Sequence, residues 1–428
     1  MCEEIINRKG LRCQICTGCG LCPGITPAGS SAGAVHVLAE DAFQGERHPL
    51  KGESRRLATA DIGTTTVAML LFGQDGGVRD RYVAVNPQTA WGADVISRIR
   101  AAGDKAVAGK LQEEIRKVLE QGLRRFTLDL EPGESLYLVL AANTAMSYLL
   151  MGWDTSELGR APFYASRLSG GSFMLGEYSC FLYPGLSAFV GGDILAGIFA
   201  CCMEEKEETT LLIDLGTNGE MVLGSRQRRI SCATAAGPAF EGGVNRGIWG
   251  ADMVSLLARL LREGIMDETG LLADPYFDTG IRIGNVQVTQ EAVRSVQLAK
   301  AAIRAGTEIL LKRYGIGADQ VDRVVLAGGF GYYLKPADAA RIGLIPKELA
   351  GKAAAGGNTA LAGCLRAGRQ ILEEGSPEGL EELLAGIASN TEVINLAEEE
   401  SFGDIYIQQM WFPEEGIERF FGIKESVF

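Results

Sequence analysis

Histidine is nearly missing from this chain. His36 and His48 are the only two in 428 residues, and both precede the region that reads as the main body. A hydrolase that relies on imidazole for acid–base work is therefore disfavoured. No apolar run reaches membrane-spanning length; residues 194–203 are too short and are followed by Glu204-Glu205-Lys206-Glu207-Glu208. The N-terminus lacks the charged-then-apolar form of a signal peptide, so a cytoplasmic protein is expected. Positive charge is not in excess: the net charge is −13, which argues against non-specific nucleic-acid binding and against an anionic membrane surface. There is no P-loop lysine motif, and no GxGxxG fingerprint follows a strand. Aromatic residues are few, at 7%. What remains is a globular composition, 46% hydrophobic and 22% charged, with room for two to three domains. Glycine is abundant, at 56 residues, and there are ten cysteines, which a reducing cytoplasm would not use for disulfides.

The glycine has a purpose at two places. Residues 209–224, TTLLIDLGTNGEMVLG, read as a β-hairpin. An apolar strand ends in Asp214, a small polar tip follows with Gly216, Thr217, Asn218 and Gly219, and a second apolar strand returns. Residues 57–73, LATADIGTTTVAMLLFG, repeat the plan with Asp61, Gly63, Thr64, Thr65 and Thr66. Glycine lets backbone N–H groups approach an anion, threonine and asparagine donate hydrogen bonds, and the aspartate can hold a hydrated Mg2+. One Asp-x-Gly-Thr turn would be weak evidence. Two in the same strand–tip–strand context suggest two similar lobes facing each other across a nucleotide.

The cysteines concentrate at the start. In RCQICTGCGLCPG, Cys13, Cys16, Cys19 and Cys22 are each separated by two residues, and Pro23 follows. The spacing is close to the bacterial ferredoxin run, one residue short in the last gap. It favours an iron–sulfur cluster, 4Fe–4S rather than 2Fe–2S, over zinc, whose ribbons place a longer loop between two C-x2-C pairs. Cys22, Cys2 or a partner chain can supply the fourth ligand. A Gly/Ser-rich connector follows, up to about residue 50.

Beyond the first hairpin, a third strand over 81–85, a helix from Asp94, a long amphipathic helix over 105–126 and an apolar strand over 136–142 are expected, the last ending in Asn143-Thr144. Residues 151–186 read as an irregular insertion. Gly191-Gly192-Asp193 then opens a small-residue helix in which Cys201 and Cys202 read as core. After the second hairpin, Gly237 and Glu241 lie in ATAAGPAFEGG, and Glu241 is a candidate site carboxylate. Thr289 begins a helix. A buried strand over 321–327 ends in Gly328-Gly329-Phe330-Gly331, where a ring or sugar can lie against backbone. A second small-residue helix covers 356–368.

This order of elements resembles the actin, sugar-kinase and heat-shock ATPase superfamily. More narrowly, residues 57–428 resemble the ATPase part of the reductive activators of corrinoid proteins, through DIGTTT, NPQ…GADVISRI, NTAM, FVGGD, DLGTNGE, AGPAFEGG, LAGGFG and GNTALAG. The resemblance implies an α/β fold of two ribonuclease-H-like lobes: residues 1–50 as a Cys-rich segment and linker, 51–205 as lobe I, and 206–428 as lobe II with a C-terminal helix returning to lobe I. It implies ATP hydrolysis coupled to electron transfer from an iron–sulfur cluster to a cobalt(II) corrinoid protein. Gly63, Thr64, Thr65, Thr66, Gly216, Thr217 and Asn218 would cradle phosphates, with Asp61 and Asp214 on Mg2+. Asp193 or Glu241 would position the attacking water, and Gly237, Gly328, Gly329 and Phe330 would contact the nucleotide. Reduced ferredoxin or a similar donor would supply electrons, and a homodimer is one assembly open to the chain. Where the family carries a longer N-terminal portion with a 2Fe–2S domain and a middle domain, about fifty residues are expected to stand instead. Three alternatives remain open: an activator of the 2-hydroxyacyl-CoA dehydratase type, a small-molecule kinase, and an ATP-binding regulator of the same fold.

Overall fold

The computed structural model describes residues 54–216, 218–237, 239, 250–283, 286–331 and 333–413. They divide into two compact units. The first takes the described residues up to Lys206, together with Arg226–Arg228 and Gly357–Val393. The second takes Glu207–Ser225, Arg229–Gly356 and the described residues from Ile394 onward.

The first unit is built on a six-stranded sheet. Its strands are β1 (Arg55–Ile62), β2 (Thr66–Phe72), β3 (Val78–Val85), β4 (Ser135–Ala142), β5 (Gly171–Leu175) and β6 (Tyr178–Leu182), in the order β3-β2-β1-β4-β6-β5. β1, β2 and β3 form an antiparallel meander, while β4 runs parallel to β1 with Asp61 opposite Ala141. The period of two along β1 divides its side chains. Ala58, Ala60 and Ile62 join Leu111, Ile115 and Leu119 of helix Lys105–Thr127 in one core. On the opposite face, Leu57 lies against Gly368 of helix Thr359–Glu374, where a methyl group would overlap it. That helix also crosses Gly192–Ala200 so closely that a Cβ on Gly363 would overlap the Ala196 carbonyl, and the Tyr183 hydroxyl donates to Gly363 O at 2.7 Å. Helix starts are set locally, because side-chain oxygens accept the otherwise unpaired first-turn amides: Asp94 accepts from Ser97 N, Asp104 from Ala106 N, Asn143 from Met146 N and Asn358 from Leu361 N.

One expectation fails here. Residues 151–186 are not wholly irregular, since β5 and β6 lie within them and extend the sheet. The two strands have only five residues each and join through a tight turn with Gly176 at φ +59°. Their Gly, Ser, Tyr and Phe carry too little periodicity to be read alone, and the parallel edge of β4 supplies the pairing.

In the second unit, β7 (Thr210–Leu215), β8 (Gly219–Gly224) and β9 (Arg229–Thr234) form another antiparallel meander. β10 (Ile281–Ile283) and β11 (Val286–Val288) make a separate hairpin. β12 (Arg323–Ala327) pairs parallel with β7, and β13 (Ala353–Gly357) lies beyond it. Helices Gly250–Arg262 and Gln290–Tyr314 cover this unit's core. The two units thus repeat one plan: a three-strand meander, then a strand parallel to its first member. Each first strand carries an aspartate near its carboxyl end, and each parallel partner opens a helix there, Thr144–Met151 in one unit and Gly328–Gly331 in the other. This is the two-lobed α/β architecture expected from the sequence.

Candidate nucleotide site and family

In the first unit the tip between β1 and β2 is held from behind. Gly63 N donates to Thr66 O at 2.9 Å, closing the turn. Asn86 Nδ2 donates to Gly63 O at 2.9 Å, the Asn86 amide donates to Thr65 O at 2.9 Å, and Arg98 Nη2 donates to Thr64 O at 2.5 Å. All three tip carbonyls are thereby occupied. Asn143 Nδ2 donates to Thr64 Oγ1 at 3.2 Å, which leaves the threonine proton available to another acceptor.

Asp61 stands at the end of β1 and accepts from Asn358 Nδ2 at 2.7 Å. Burial raises its carboxyl from 3.8 to about 6, and the Asn358 hydrogen bond pulls the other way. Asp193, in the first turn of helix Gly192–Ala200, is raised too, first by burial and then by the Asp61 charge. Two carboxylates whose charges oppose each other in a desolvated place are stabilised by a cation. Mg2+ suits such a pair, because it keeps several waters and is held by one or two carboxylates together with phosphates. Among the described residues no three His, Cys, Asp or Glu side chains converge as a metal cage. The Gly191-Gly192 loop can reach this place only without side chains. A Cβ on Gly191 would fall 2.5 Å from Asn143 Cα, and one on Gly192 would fall 2.9 Å from Tyr183 O.

In the second unit Asp214 occupies the corresponding end of β7, with Glu220 directly opposite on β8 and Ala327 opposite on β12. Opposed residues on neighbouring strands share a face, so two carboxylates lie together here as well. Gly216 N donates to Asn218 O at 3.0 Å and tightens the tip. Gly328 has φ +83°, and a Cβ there would lie 2.7 Å from Asp214 Oδ1 and 2.6 Å from Leu215 O. Its glycine identity is thus required by close approach to the Asp214 strand end. Gly237 also has positive φ, +74°, and faces open space.

The first unit therefore brings Gly63, Thr64, Thr65, Asp61 and Asp193 to one end of its sheet, and the second brings Asp214, Gly216, Asn218 and Gly328 together. Thr66 begins β2. Thr217, Glu241 and the four cysteines Cys13, Cys16, Cys19 and Cys22 lie outside the described residues, as does the side chain of Phe330. Sequence reasoning did not single out Asn86, Arg98, Glu220 or Asn358. Asn358 had a signal, since Asn-Thr before a small-residue helix is a capping pattern. Burial of Arg98 had none.

Comparison with known proteins gives this geometry its family. Residues 57–206 match the middle region of RACo, and residues 208–246 and 243–424 match the C-terminal domain of RACo, the ASKHA domain. The family's middle region thus lies on 57–206, which corrects the expectation that about fifty N-terminal residues stand in its place. The corrinoid activation enzyme RamQ of Eubacterium limosum is 29% identical over 357 residues, 67% of this chain and 60% of that protein. The [Co(II) methylated amine-specific corrinoid protein] reductase of Methanosarcina barkeri is 24% identical over 308 residues, 60% of this chain and 55% of that one. This chain therefore spans less than two thirds of the length of these curated relatives. A solved reductive activator for the corrinoid, iron–sulfur protein superposes with a TM-score of 0.72 at 29% identity, covering 85% of this chain and 67% of the other. The chain belongs to the RACo family of reductive activators of corrinoid proteins.

Proposed function

We propose that this protein is an ATP-dependent reductive activator, coupling ATP hydrolysis to low-potential electron transfer toward a cobalt(II) corrinoid protein. The observation that carries the reading is the match of both the RACo middle region and the RACo ASKHA domain on a chain that begins with a four-cysteine run. The Asp61 and Asp214 hairpins bind the phosphates of ATP–Mg2+ through tip amides and hydroxyls. Asp61 and Asp214 orient the hydrated cation, and Asp193 or Glu241 positions the attacking water. Phosphoryl transfer needs mainly positioning and charge neutralisation, and these side chains offer both. Cys13, Cys16, Cys19 and Cys22 hold an iron–sulfur cluster of the 4Fe–4S type, which supplies a one-electron donor when bound. A reduced ferredoxin or similar protein in the cytoplasm recharges it.

The test is anaerobic purification and reconstitution, followed by iron analysis, EPR and assay of ATP-dependent reduction of a cobalt(II) corrinoid protein. Iron-dependent, ATP-dependent loss of the cobalt(II) signal is the expected result. Iron-free protein after reconstitution, or transfer of phosphate to a small metabolite instead, would overturn the proposal. Asp214→Ala should abolish ATP hydrolysis and leave the cluster absorbance intact.

A further inference from the structure

Arg98 is fully buried, on the short helix Val95–Ala101, and among the described residues no carboxylate lies within ion-pair distance of it. Its guanidinium is spent on neutral acceptors. Nε donates to Gly92 O at 2.8 Å, Nη1 lies 3.5 Å from Met146 Sδ, and Nη2 donates to Thr64 O at 2.5 Å. The opposing charge that acts on it is Asp94, whose carboxylate caps the helix through Ser97 N and Ser97 Oγ and makes no ion pair with the guanidinium. Burial lowers Arg98 to about 10, and the Asp94 charge offsets only part of that. A buried cation held mainly by neutral acceptors is costly, and a nearby anion would lower that cost.

The anion's place follows from the tip. With Asn86 and Arg98 holding the carbonyls of Gly63, Thr64 and Thr65, no tip carbonyl is left to repel a phosphate. The Thr64 and Thr65 amides have no acceptor among the described residues. The geometry points to Arg98 as the positioning residue of the first hairpin, turning the Thr64 peptide and answering the polyphosphate charge through it without touching the ligand. This rests on the nucleotide reading above and adds a determinant for phosphate number. An arginine that acts by charge at a distance from the base should favour triphosphate over diphosphate, and should ignore the nucleoside.

Calorimetry on the full chain with Mg2+ tests it, using a non-hydrolysable ATP analogue, ADP and adenosine against wild type, Arg98→Met and Arg98→Lys. Arg98→Met should weaken the triphosphate analogue at least tenfold, ADP less, and adenosine under twofold. Arg98→Lys should recover most of the triphosphate affinity, and its ratio of triphosphate to adenosine affinity should stay within threefold of wild type. If Arg98→Met fails to fold, that ratio in Arg98→Lys decides alone, and its collapse to a nucleoside-like value overturns the proposal. Equal loss for all three ligands, or no loss, makes Arg98 a structural strut only and overturns the proposal while sparing the nucleotide reading. Wild-type protein that binds none of the three overturns both.

Discussion

Replacing Asp61 by asparagine should make the nucleotide-free protein more stable and abolish the proposed ATP hydrolysis. Asparagine keeps the volume of the side chain and an oxygen to accept from Asn358 Nδ2, now at 2.7 Å. It removes the charge that burial disfavours. A carboxyl that ionises at 3.8 in the unfolded chain and at about 6 in the folded one makes ionisation unfavourable in the fold. At roughly 1.4 kcal/mol per pH unit the upper bound is about 3 kcal/mol above pH 6. The sign follows from proton binding. Between 3.8 and about 6 the folded state holds more protons than the unfolded one, so Asp61's contribution to stability falls as pH rises through that window. Above it the penalty is complete; at pH 5 about half remains, and below 4 little is left. Because Asp61 is only partly enclosed, about 1–3 kcal/mol is the expected gain at pH 7.5. This amounts to several degrees in Tm of the unit that holds Asp61, at about 2–4 °C per kcal/mol for a unit of roughly 150–250 residues. Thermal unfolding of metal- and nucleotide-free protein at pH 7.5 and pH 5 measures it. Steady-state ATP hydrolysis should fall at least a hundredfold in the same variant, because in the proposed site the cation loses a carboxylate. A variant no more stable than wild type at pH 7.5, one with an equal gain at both pH values, or one that still hydrolyses ATP normally would refute the reasoning.

Asn358→Ala removes both the cap on Leu361 N, worth about 1 kcal/mol, and the hydrogen bond that lowers Asp61; the acid limb of Mg2+–nucleotide binding should therefore move to higher pH, as read by calorimetry across pH 5–8. Gly363→Ala places a methyl group on the Ala196 carbonyl and should cost about 1–3 kcal/mol; an unchanged urea midpoint would show that the two helices separate freely. Lys300 is buried, donates to Gln409 O at 2.7 Å and Trp411 O at 2.6 Å, and lies 4.5 Å above the Phe412 ring. Burial lowers it to about 7 from 10.5, so its contribution to stability rises as pH climbs from about 7 toward 10.5, where only the unfolded chain still holds the proton. Lys300→Met leaves two carbonyls without a donor, at about 1–3 kcal/mol. The gap between wild type and variant should widen from pH 7.5 to pH 9.5, and a constant gap rejects the titration.

Much of the fold was legible because its signals are local. The hairpins at Asp61 and Asp214 announce themselves through Gly-Thr tips between apolar runs, and Thr289 and the Asn-Thr pairs announce helix starts, because a cap acts within three residues. β5 and β6 were not legible, since five-residue strands take their identity from a neighbour. The site was readable only in part, for the same reason. Asn358 and Asp61 meet across 297 residues of sequence, and no pattern within either segment states the pairing.

The sequence by itself determined the repeated unit: strand, aspartate, glycine tip, strand. Side-chain alternation and turn chemistry need only neighbours. The tertiary structure decided what surrounds each aspartate. Only packing places Asp193 where the Asp61 charge repels it, buries Arg98 under the Thr64 carbonyl without an ion pair, and sets Gly328 so close to Asp214 that no side chain fits. Burial and long-range charge are properties of the assembled unit, and they turn a small polar turn into a candidate site for a phosphate and its cation.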